Sequence, residues 1–255
     1  MGPAQQREKI QPPEVSAANR RRSQRLPRPH RLTFAVIGSA VVFAVIILWP
    51  AGRFGWVAGW FYVGIVTLYF LVNIIYLERV NPELIDARMR MGKGTKGWDI
   101  AWAVIVGPIL ISTYVVAGLD AVRFEWSTMS PLFWPIGLML FIPGIALVSW
   151  SMGVNPFFEK TVRIQTERGH QVVDTGPYAF VRHPGYVGLF GWCLSAPLLL
   201  GSWWAFLPAV LSGVGLVIRT ALEDRTLRHE LEGYAAYSER VRFRLFPGIW
   251  CVDDD

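Results

Sequence analysis

Long uncharged apolar runs alternate with short polar segments through the first 150 residues of the chain. Four of these runs have close to the roughly 20 residues that a helix needs to cross a bilayer, and they cover 32–50, 54–77, 98–119 and 132–152. Their apolar residues are continuous instead of being confined to one helical face, which is typical of membrane spans. The pattern predicts an all-α, polytopic membrane protein.

Two shorter apolar runs follow at 185–200 and 202–218, separated only by Gly201. They predict either a tight helical hairpin or one long pair with bends at Pro197 and Pro208. We favour a hairpin that enters the membrane and returns, which gives about six transmembrane helices. Five is the alternative count.

Composition and charge extend this picture. The chain is 53% apolar, and its mean hydropathy is +0.34. Lys and Arg number eight in 1–31, five in 78–97 and ten from Lys160 to the C-terminus, but only one each in 51–53 and 120–131. Because basic residues collect on the cytoplasmic side, the alternation places both termini and the polar C-terminal region there, at the inner membrane if the host is bacterial. The charge indicates contact with the lipid bilayer and not a nucleic-acid partner, although an arginine-rich arm for nucleic acid is an alternative for the tail.

Three regions follow from these patterns. Residues 1–31 form a basic tail that is expected to be disordered, 32–152 hold four transmembrane helices, and 153–255 hold the remaining helices and most of the polar chemistry. The first apolar run starts too late and is too long for a cleavable signal peptide. Oligomeric state is not predicted.

Familiar soluble-enzyme motifs are missing from the sequence. The Gly-Val-Gly at 213–215 lies inside an apolar run and favours helix packing over nucleotide binding. The four histidines are dispersed, and Cys193 lies within an apolar run, so no metal site is expected.

Polar residues concentrate in two places near the C-terminus. The first is a long connection, 155–184, whose Val, Ile and Thr favour short extended pieces; it is either a surface loop or a ligand-binding lid. The second follows the last apolar run, where Arg219 and Glu223 are four residues apart and share a helical face. Ionisable residues at a membrane boundary either form an ion pair with solvent-directed ends or serve a site.

A combination of motifs in this region resembles one family. GPYAFVRHPGY at 176–186 is followed by the hydrophobic hairpin, by R-x-x-x-E-D at 219–224 and by Y-x-x-Y and RFRLFPGIW at 234–250. Together they resemble the isoprenylcysteine carboxyl methyltransferase family, small integral-membrane enzymes related to the phospholipid N-methyltransferases. The resemblance covers roughly residues 150–250.

The resemblance implies a membrane methyltransferase that uses S-adenosylmethionine on the cytosolic side. It implies a lipophilic acceptor, most simply a prenylated cysteine carboxylate, with Arg219 as the catalytic, substrate-orienting residue. The residues that it assigns to cofactor binding are Gln165, His170, Gln171, Val172, Val173, Tyr178, His183, Pro184, Gly185, Tyr186 and Glu223. Where the family has two glutamates this chain has Glu223 and Asp224, so no role for Asp224 is carried over.

These residue types suit the ligand. A carboxylate such as Glu223 can bind the ammonium group of the cofactor. His183, Arg182 or backbone amides can bind its carboxylate, and aromatic or valine side chains can contact its adenine. Arg219 favours a carboxylate acceptor because guanidinium binds carboxylate through two parallel hydrogen bonds. The loop at 78–99 either caps the site or is a solvated topology loop.

Two other function classes remain open from the sequence. An NADPH-dependent membrane reductase of the sterol-reductase type would need a basic cluster for the 2′-phosphate, which Arg182, Arg225 and Arg228 could supply. A non-catalytic scaffold that retains the fold is the third hypothesis. It would have no need for charges at the membrane boundary.

Overall fold

The computed structural model describes residues 28–89 and 94–249. In these ranges the chain forms eight α-helices and no β-strand, which confirms the all-α prediction. In chain order they are α1 (Arg28–Ala51), α2 (Val57–Val80), α3 (Pro82–Arg88), α4 (Gly97–Gly118), α5 (Trp134–Val154), α6 (Pro184–Leu200), α7 (Phe206–Glu230) and α8 (Tyr234–Arg240).

Five of these helices, α1, α2, α4, α5 and α7, are long and apolar enough to cross a membrane. Helix α6 is apolar but has 17 residues. The counts of five and six spans therefore differ only in how α6 is counted. Large apolar side chains such as Val104 and Met139 point away from the bundle, as lipid contact requires. The chain is a multi-pass membrane protein.

Helices α6 and α7 form the predicted hairpin. Helix α6 ends at Gly201, whose φ of +74° is open to glycine at little cost. Pro208 lies in the first turn of α7, a position that proline tolerates, so it does not act as a bend within the helix.

Glycines set the close approach of α6 to α5. A Cβ on Gly144 would lie 2.8 Å from the carbonyl oxygen of Gly188, and a Cβ on Gly191 would lie 2.7 Å from that of Leu140. Such small residues allow membrane helices to pack backbone against backbone. The predicted packing role of the Gly-Val-Gly also holds, since a Cβ on Gly215 would lie 2.8 Å from Val106 of α4.

An aromatic cluster fills the middle of the bundle. Tyr62, Tyr114, Phe141 and Trp192 bring together α2, α4, α5 and α6, with the Tyr62 and Tyr114 rings 5.7 Å apart. Trp192 Nε1 donates a 2.9 Å hydrogen bond to the Tyr62 hydroxyl, which satisfies these polar atoms away from water. Cys193 is buried nearby, as its apolar context indicated.

The two ends of the bundle differ in chemistry. At one end the buried Asp120 accepts hydrogen bonds from the Ser127 and Ser202 hydroxyls and thereby fixes the turn before α7. At the other end Lys96, just before α4, pairs with Glu230 at the end of α7 at 2.6 Å. The connection 155–183 covers this second end.

The connection 155–183 is folded around short turns. It contains two 3₁₀ turns, Thr166–Arg168 and Gly176–Ala179, and no strand. The short extended pieces expected from its Val, Ile and Thr do not pair into strands, because no neighbouring strand is available among the described residues. The amide of Val162 donates instead to the Asp99 carboxylate at 2.8 Å.

Candidate active site

A cavity of about 250 Å³ opens at the end of the bundle that carries Lys96 and Glu230. This volume is close to the lower end of the roughly 300–1,000 Å³ of small-molecule pockets. Helix α3, the connection 155–183, the start of α6, the end of α7 and α8 provide its walls. Eleven of the twelve predicted site residues line it: Gln165, His170, Gln171, Val172, Val173, Tyr178, His183, Gly185, Tyr186, Arg219 and Glu223.

Pro184 is the predicted residue that does not line the cavity. It occupies the first position of α6, where its missing N–H costs nothing because that amide has no partner within the helix. Pro184 therefore fixes where α6 begins and so orients His183 before it and Tyr186 after it.

The irregular turn before α6 is held by the C-terminal segment. The amide of Arg182 donates to the Phe243 carbonyl at 2.9 Å, and that of His183 donates to the Arg244 carbonyl at 3.0 Å. These two amides are therefore not free for the carboxylate of a ligand. Gly185 is needed for a different reason, since a Cβ there would lie 2.5 Å from the Phe158 ring.

Asp224 lies at the centre of a buried ionic cluster next to the cavity. Its Oδ1 is 2.8 Å from Arg182 Nε and 3.2 Å from His183 Nε2, and its Oδ2 is 3.0 Å from Arg244 Nε. The Tyr234 hydroxyl donates to Oδ1 at 3.0 Å. Burial and the Asp224 carboxylate raise the pKa of Tyr234, which keeps this hydroxyl protonated. Asp224, to which the family resemblance assigned no role, thus connects the turn before α6, α7, α8 and the C-terminal segment.

The Arg182 guanidinium is fully committed to this cluster. Besides Asp224, its Nη1 donates to the carbonyls of Ser238 and Val241, both at 3.1 Å. The expectation that Arg182 binds the cofactor carboxylate is therefore not supported. Its role is to hold α8 and the residues after it against the turn.

Arg219 and Glu223 project into the cavity one helical turn apart. Arg219 Nε is 3.0 Å from Asp99 Oδ1, and Nη2 donates to the Lys160 carbonyl at 2.9 Å. Its guanidinium lies 4.6 Å from the centre of the Trp102 ring, a cation–π distance. Glu223 accepts a short hydrogen bond from the Tyr186 hydroxyl. Arg219 is thus fixed in one orientation by Asp99 and Trp102 of α4, far away in the sequence.

On the opposite wall, Gln165 is a structural residue as much as a ligand candidate. It is 1% exposed, its Nε2 donates to the Phe157 carbonyl at 2.8 Å, and its Oε1 accepts from Arg168 at 2.6 Å. Both ends of the amide are therefore used within the protein. Gln165 shapes the cavity wall that carries His170.

The His170 imidazole in this wall is neutral. Burial lowers its pKa to about 4, and the nearby Arg163 and Arg168 cations contribute in the same direction. Its Nδ1 accepts a 3.3 Å hydrogen bond from the Gln165 amide, and its ring lies 4.5 Å from that of Phe157.

This pKa predicts an acid-sensitive contact. In the unfolded chain the His170 imidazole takes up a proton near pH 6.5, but in the folded chain only near pH 4. The stability that the neutral ring contributes is therefore present above pH 6.5 and is lost as the pH falls to 4. The ring is partly exposed, so we expect an effect on the order of 1 kcal/mol, or roughly 2–4 °C in the thermal midpoint. The loss in midpoint between pH 7 and pH 5 should be smaller in His170→Asn than in the unaltered protein. An identical loss in both would show that His170 is not the titrating group.

Sequence reasoning missed several residues of this site. Asp99, Arg88 and Trp102 come from α3 and α4, outside the motif region, and Arg244 and Tyr234 were seen only as parts of a motif. A signal for Asp99 was present, since it is an ionisable residue at the start of an apolar run, the same argument that singled out Arg219.

The fold and the cavity together define a multi-pass helical membrane protein with a cavity lined by polar and apolar side chains at one end. Comparison with known proteins narrows this class. Residues 137–229 match the model of the isoprenylcysteine carboxyl methyltransferase family. This range runs from α5 to the end of α7 and includes every predicted site residue.

Named relatives and a solved structure agree. The chain is similar to the protein-S-isoprenylcysteine O-methyltransferase of Saccharomyces cerevisiae, with 24% identity over 136 residues, 53% of this chain and 56% of that protein. The human protein of the same name is 29% identical over 148 residues, 50% of this chain and 49% of that protein. The chain thus spans about half the length of the curated relatives that it matches.

The fold resembles the solved structure of a eukaryotic intramembrane Ras methyltransferase, isoprenylcysteine carboxyl methyltransferase. The TM-score is 0.50 and the identity 20%, covering 84% of this chain and 75% of that chain. Residues 137–229 of this chain are thus similar to the isoprenylcysteine carboxyl methyltransferase family, and the overall fold resembles that of a solved member.

Proposed function

We propose that this protein transfers a methyl group from S-adenosylmethionine to the carboxylate of a lipophilic acceptor, an isoprenylcysteine or a molecule like it. The observation that carries the proposal is that eleven residues assigned by the family motifs line a single cavity. They come from segments up to 58 residues apart, Gln165 to Glu223, so their convergence is not a consequence of sequence proximity.

The cavity residues fit the proposed cofactor. Glu223 offers a carboxylate for the ammonium group, and its lining position places that charge inside the cavity. Tyr178, Val172 and Val173 offer the aromatic and apolar surface that an adenine needs. Burial raises the pKa of Tyr178, so this ring stays neutral. When bound, the cofactor supplies an electrophilic methyl group on a sulfonium.

The protein's part in such a reaction is alignment and exclusion of water. A carboxylate acceptor needs no general base, so a positioned guanidinium suffices to orient it. Arg219 is planar, charged and fixed by Asp99 and Trp102, which suits it to this role. The apolar side chains of Phe158 and Leu189 in the same cavity suit a lipophilic neighbour of the carboxylate.

Orientation in the membrane supports the same proposal. The cavity lies at the end of the bundle that carries the basic residues Arg88, Lys96 and Lys160. The excess of Lys and Arg there supports a cytoplasmic site. A water-soluble cofactor and a membrane-embedded acceptor would then meet at one boundary.

The reductase hypothesis loses its phosphate site in this arrangement. Arg182 is buried and paired with Asp224. Arg225 and Arg228 lie on α7 but do not line the cavity. The basic cluster suggested for the 2′-phosphate, Arg182, Arg225 and Arg228, is therefore not brought together at the cavity.

The test is a calorimetric titration of the detergent-solubilised protein with S-adenosylhomocysteine and, separately, with NADPH. We expect the nucleoside thioether to bind and NADPH not to bind. Incubation with labelled S-adenosylmethionine and an N-acylated S-prenylcysteine should then give a base-labile methyl ester. Binding of NADPH alone would overturn the proposal. Binding of S-adenosylhomocysteine without ester formation would retain the cofactor and reject the acceptor.

A further inference from the structure

One cation in the cavity wall has no carboxylate partner. Arg88 ends α3, outside the region matched by the family model, and its side chain lines the cavity. Its Nη1 donates to the Phe158 carbonyl at 2.9 Å, and the guanidinium lies 5.7 Å from the centre of the Phe158 ring. Among the residues that the structure describes, no acidic side chain forms an ion pair with Arg88.

Most other cations of the cavity wall are neutralised within the protein. Arg163 Nε is 2.8 Å from Glu159, Arg182 pairs with Asp224, and Arg219 pairs with Asp99. Glu159 also accepts from Arg163 through its second oxygen, so it is already committed.

Lys160 is the second unmatched cation. Its side chain lines the same cavity, and within 28–89 and 94–249 no acidic group is paired with it. Its backbone carbonyl accepts from Arg219 Nη2 at 2.9 Å, which fixes the main chain from which the lysine extends. Two positive charges, Arg88 and Lys160, thus line the cavity without an ion-pair partner among the described residues.

The electrostatics of the pair are unfavourable in the absence of an anion. Burial lowers the pKa of Arg88, and the Arg219 cation contributes in the same direction. Tyr69, Glu159 and Tyr186 act on this pKa in the opposite direction, each by less than burial does. Burial also lowers the pKa of Lys160, with a further contribution from Arg88. Both groups would gain from a negative charge placed between them, because an opposite charge at close range offsets the cost of desolvation.

We propose that Arg88 and Lys160 form a carboxylate-binding subsite on the α3 side of the cavity. The inference rests on the proposed function, which brings two carboxylates into the cavity, one on the cofactor and one on the acceptor. A guanidinium fork beside an ammonium matches the two oxygens of a carboxylate. The subsite gives the loop at 78–99 a part in the site instead of a purely topological one.

The closing experiment measures ligand binding to four variants. Arg88→Met keeps the long stem over Phe158 and removes the charge, Lys160→Met does the same at an exposed position, and Arg88→Lys restores a charge. Arg242→Met, at an exposed cation of the same end that does not line the cavity, is the matched control. If Arg88→Met fails to fold, as judged by its thermal midpoint, Lys160→Met decides the question.

Two pairs of ligands distinguish whether the subsite binds the carboxylate of the cofactor or that of the acceptor. Calorimetry with S-adenosylhomocysteine and with 5′-methylthioadenosine, which lacks the amino acid, reports the cofactor carboxylate. Titration of an N-acylated S-prenylcysteine and of its carboxamide into protein saturated with S-adenosylhomocysteine reports the acceptor carboxylate. We expect the charge-removing variants to weaken one carboxylate-bearing ligand about 10–100-fold and its uncharged partner by less than about threefold.

The outcomes are distinct. A selective loss of affinity for S-adenosylhomocysteine shows that the subsite binds the cofactor carboxylate. A selective loss of affinity for the prenylcysteine acid shows that it binds the acceptor carboxylate. If the unaltered protein binds both carboxylates and both Met variants bind them equally well, the inference is wrong while the proposed function stands. If the unaltered protein does not bind S-adenosylhomocysteine, the proposed function fails and this inference with it.

Discussion

Replacing Asp224 by alanine is expected to lower the free energy of unfolding by about 3–5 kcal/mol, because it leaves the buried Arg182 guanidinium without its counter-charge. Arg182 and Arg244 both lie within 3.0 Å of this carboxylate, and the Arg182 side chain has no exposure to water. The same change frees the turn that carries His183, so S-adenosylhomocysteine binding should be lost. The measurements are the thermal midpoint in detergent and calorimetric titration at a temperature where the variant is folded.

Asp174→Ala provides the matched control for Asp224→Ala. Asp174 also pairs with an arginine, Arg240, at 2.6 Å, but both side chains are about half exposed. A pair of this kind contributes about 0–1 kcal/mol, so Asp174→Ala should be nearly silent. Equal effects of the two substitutions would mean that the Asp224 cluster does not stabilise the site.

A second variant separates charge from size at this position. Asp224→Asn keeps the volume and one acceptor oxygen but removes the charge that neutralises Arg182 and Arg244. We expect it to resemble Asp224→Ala in stability, since the cost arises from the buried Arg182 cation that loses its counter-charge. An asparagine variant with normal stability would show that hydrogen bonding at Asp224, not charge, is what the cluster requires.

The membrane helices were predictable because one physical constraint dominates them. A membrane span must be long, apolar and hydrogen-bonded within itself, and one continuous stretch of sequence is enough to recognise these properties. The predicted runs at 54–77 and 98–119 correspond to α2 and α4 with small shifts at their ends. The end of α7 was less predictable, because the helix continues past the apolar run to Glu230, where the Lys96 ion pair and the Asp224 cluster support it.

The site was predictable only where its residues lie in one motif region. The family resemblance implied His183, Tyr186, Arg219 and Glu223 as site residues, and the structure brings them into one cavity. Asp99 was not identified, because its pairing with Arg219 joins residues 120 positions apart. Long-range ion pairs leave no periodic signal in a single sequence.

The turn before α6 shows why a correct motif led to a partly wrong role. From the sequence, backbone amides there were one possible partner for the carboxylate of a cofactor. The amides of Arg182 and His183 instead bind Phe243 and Arg244, which lie about 60 residues further along the chain. The local composition predicted that the backbone is irregular, but not which group satisfies it.

Arg219→Ala is expected to reduce kcat by about 10²-fold or more while S-adenosylhomocysteine binds within about threefold of the unaltered affinity. The reason is geometric, since Arg219 is held by Asp99 at 3.0 Å and stacked 4.6 Å from the Trp102 ring, so its fork has one direction in the cavity. Loss of a group that aligns the reacting carboxylate removes rate without removing the cofactor's own contacts. The measurements are steady-state turnover of a prenylcysteine acceptor and calorimetry with the nucleoside thioether.

Three further variants test the orienting role against simpler explanations. Arg219→Lys keeps the charge but loses the planar fork and the stacking on Trp102, so it should recover little turnover. Asp99→Asn should lower kcat less than Arg219→Ala, because Asp99 acts by positioning Arg219, which in this variant remains in the cavity. Arg225→Ala, an exposed arginine on the same helix, should have normal turnover. If Arg219→Ala instead loses S-adenosylhomocysteine binding at an unchanged thermal midpoint, Arg219 belongs to the cofactor side of the cavity. The acceptor must then be oriented by other cations, of which Arg88 and Lys160 are the ones without an acidic partner among the described residues.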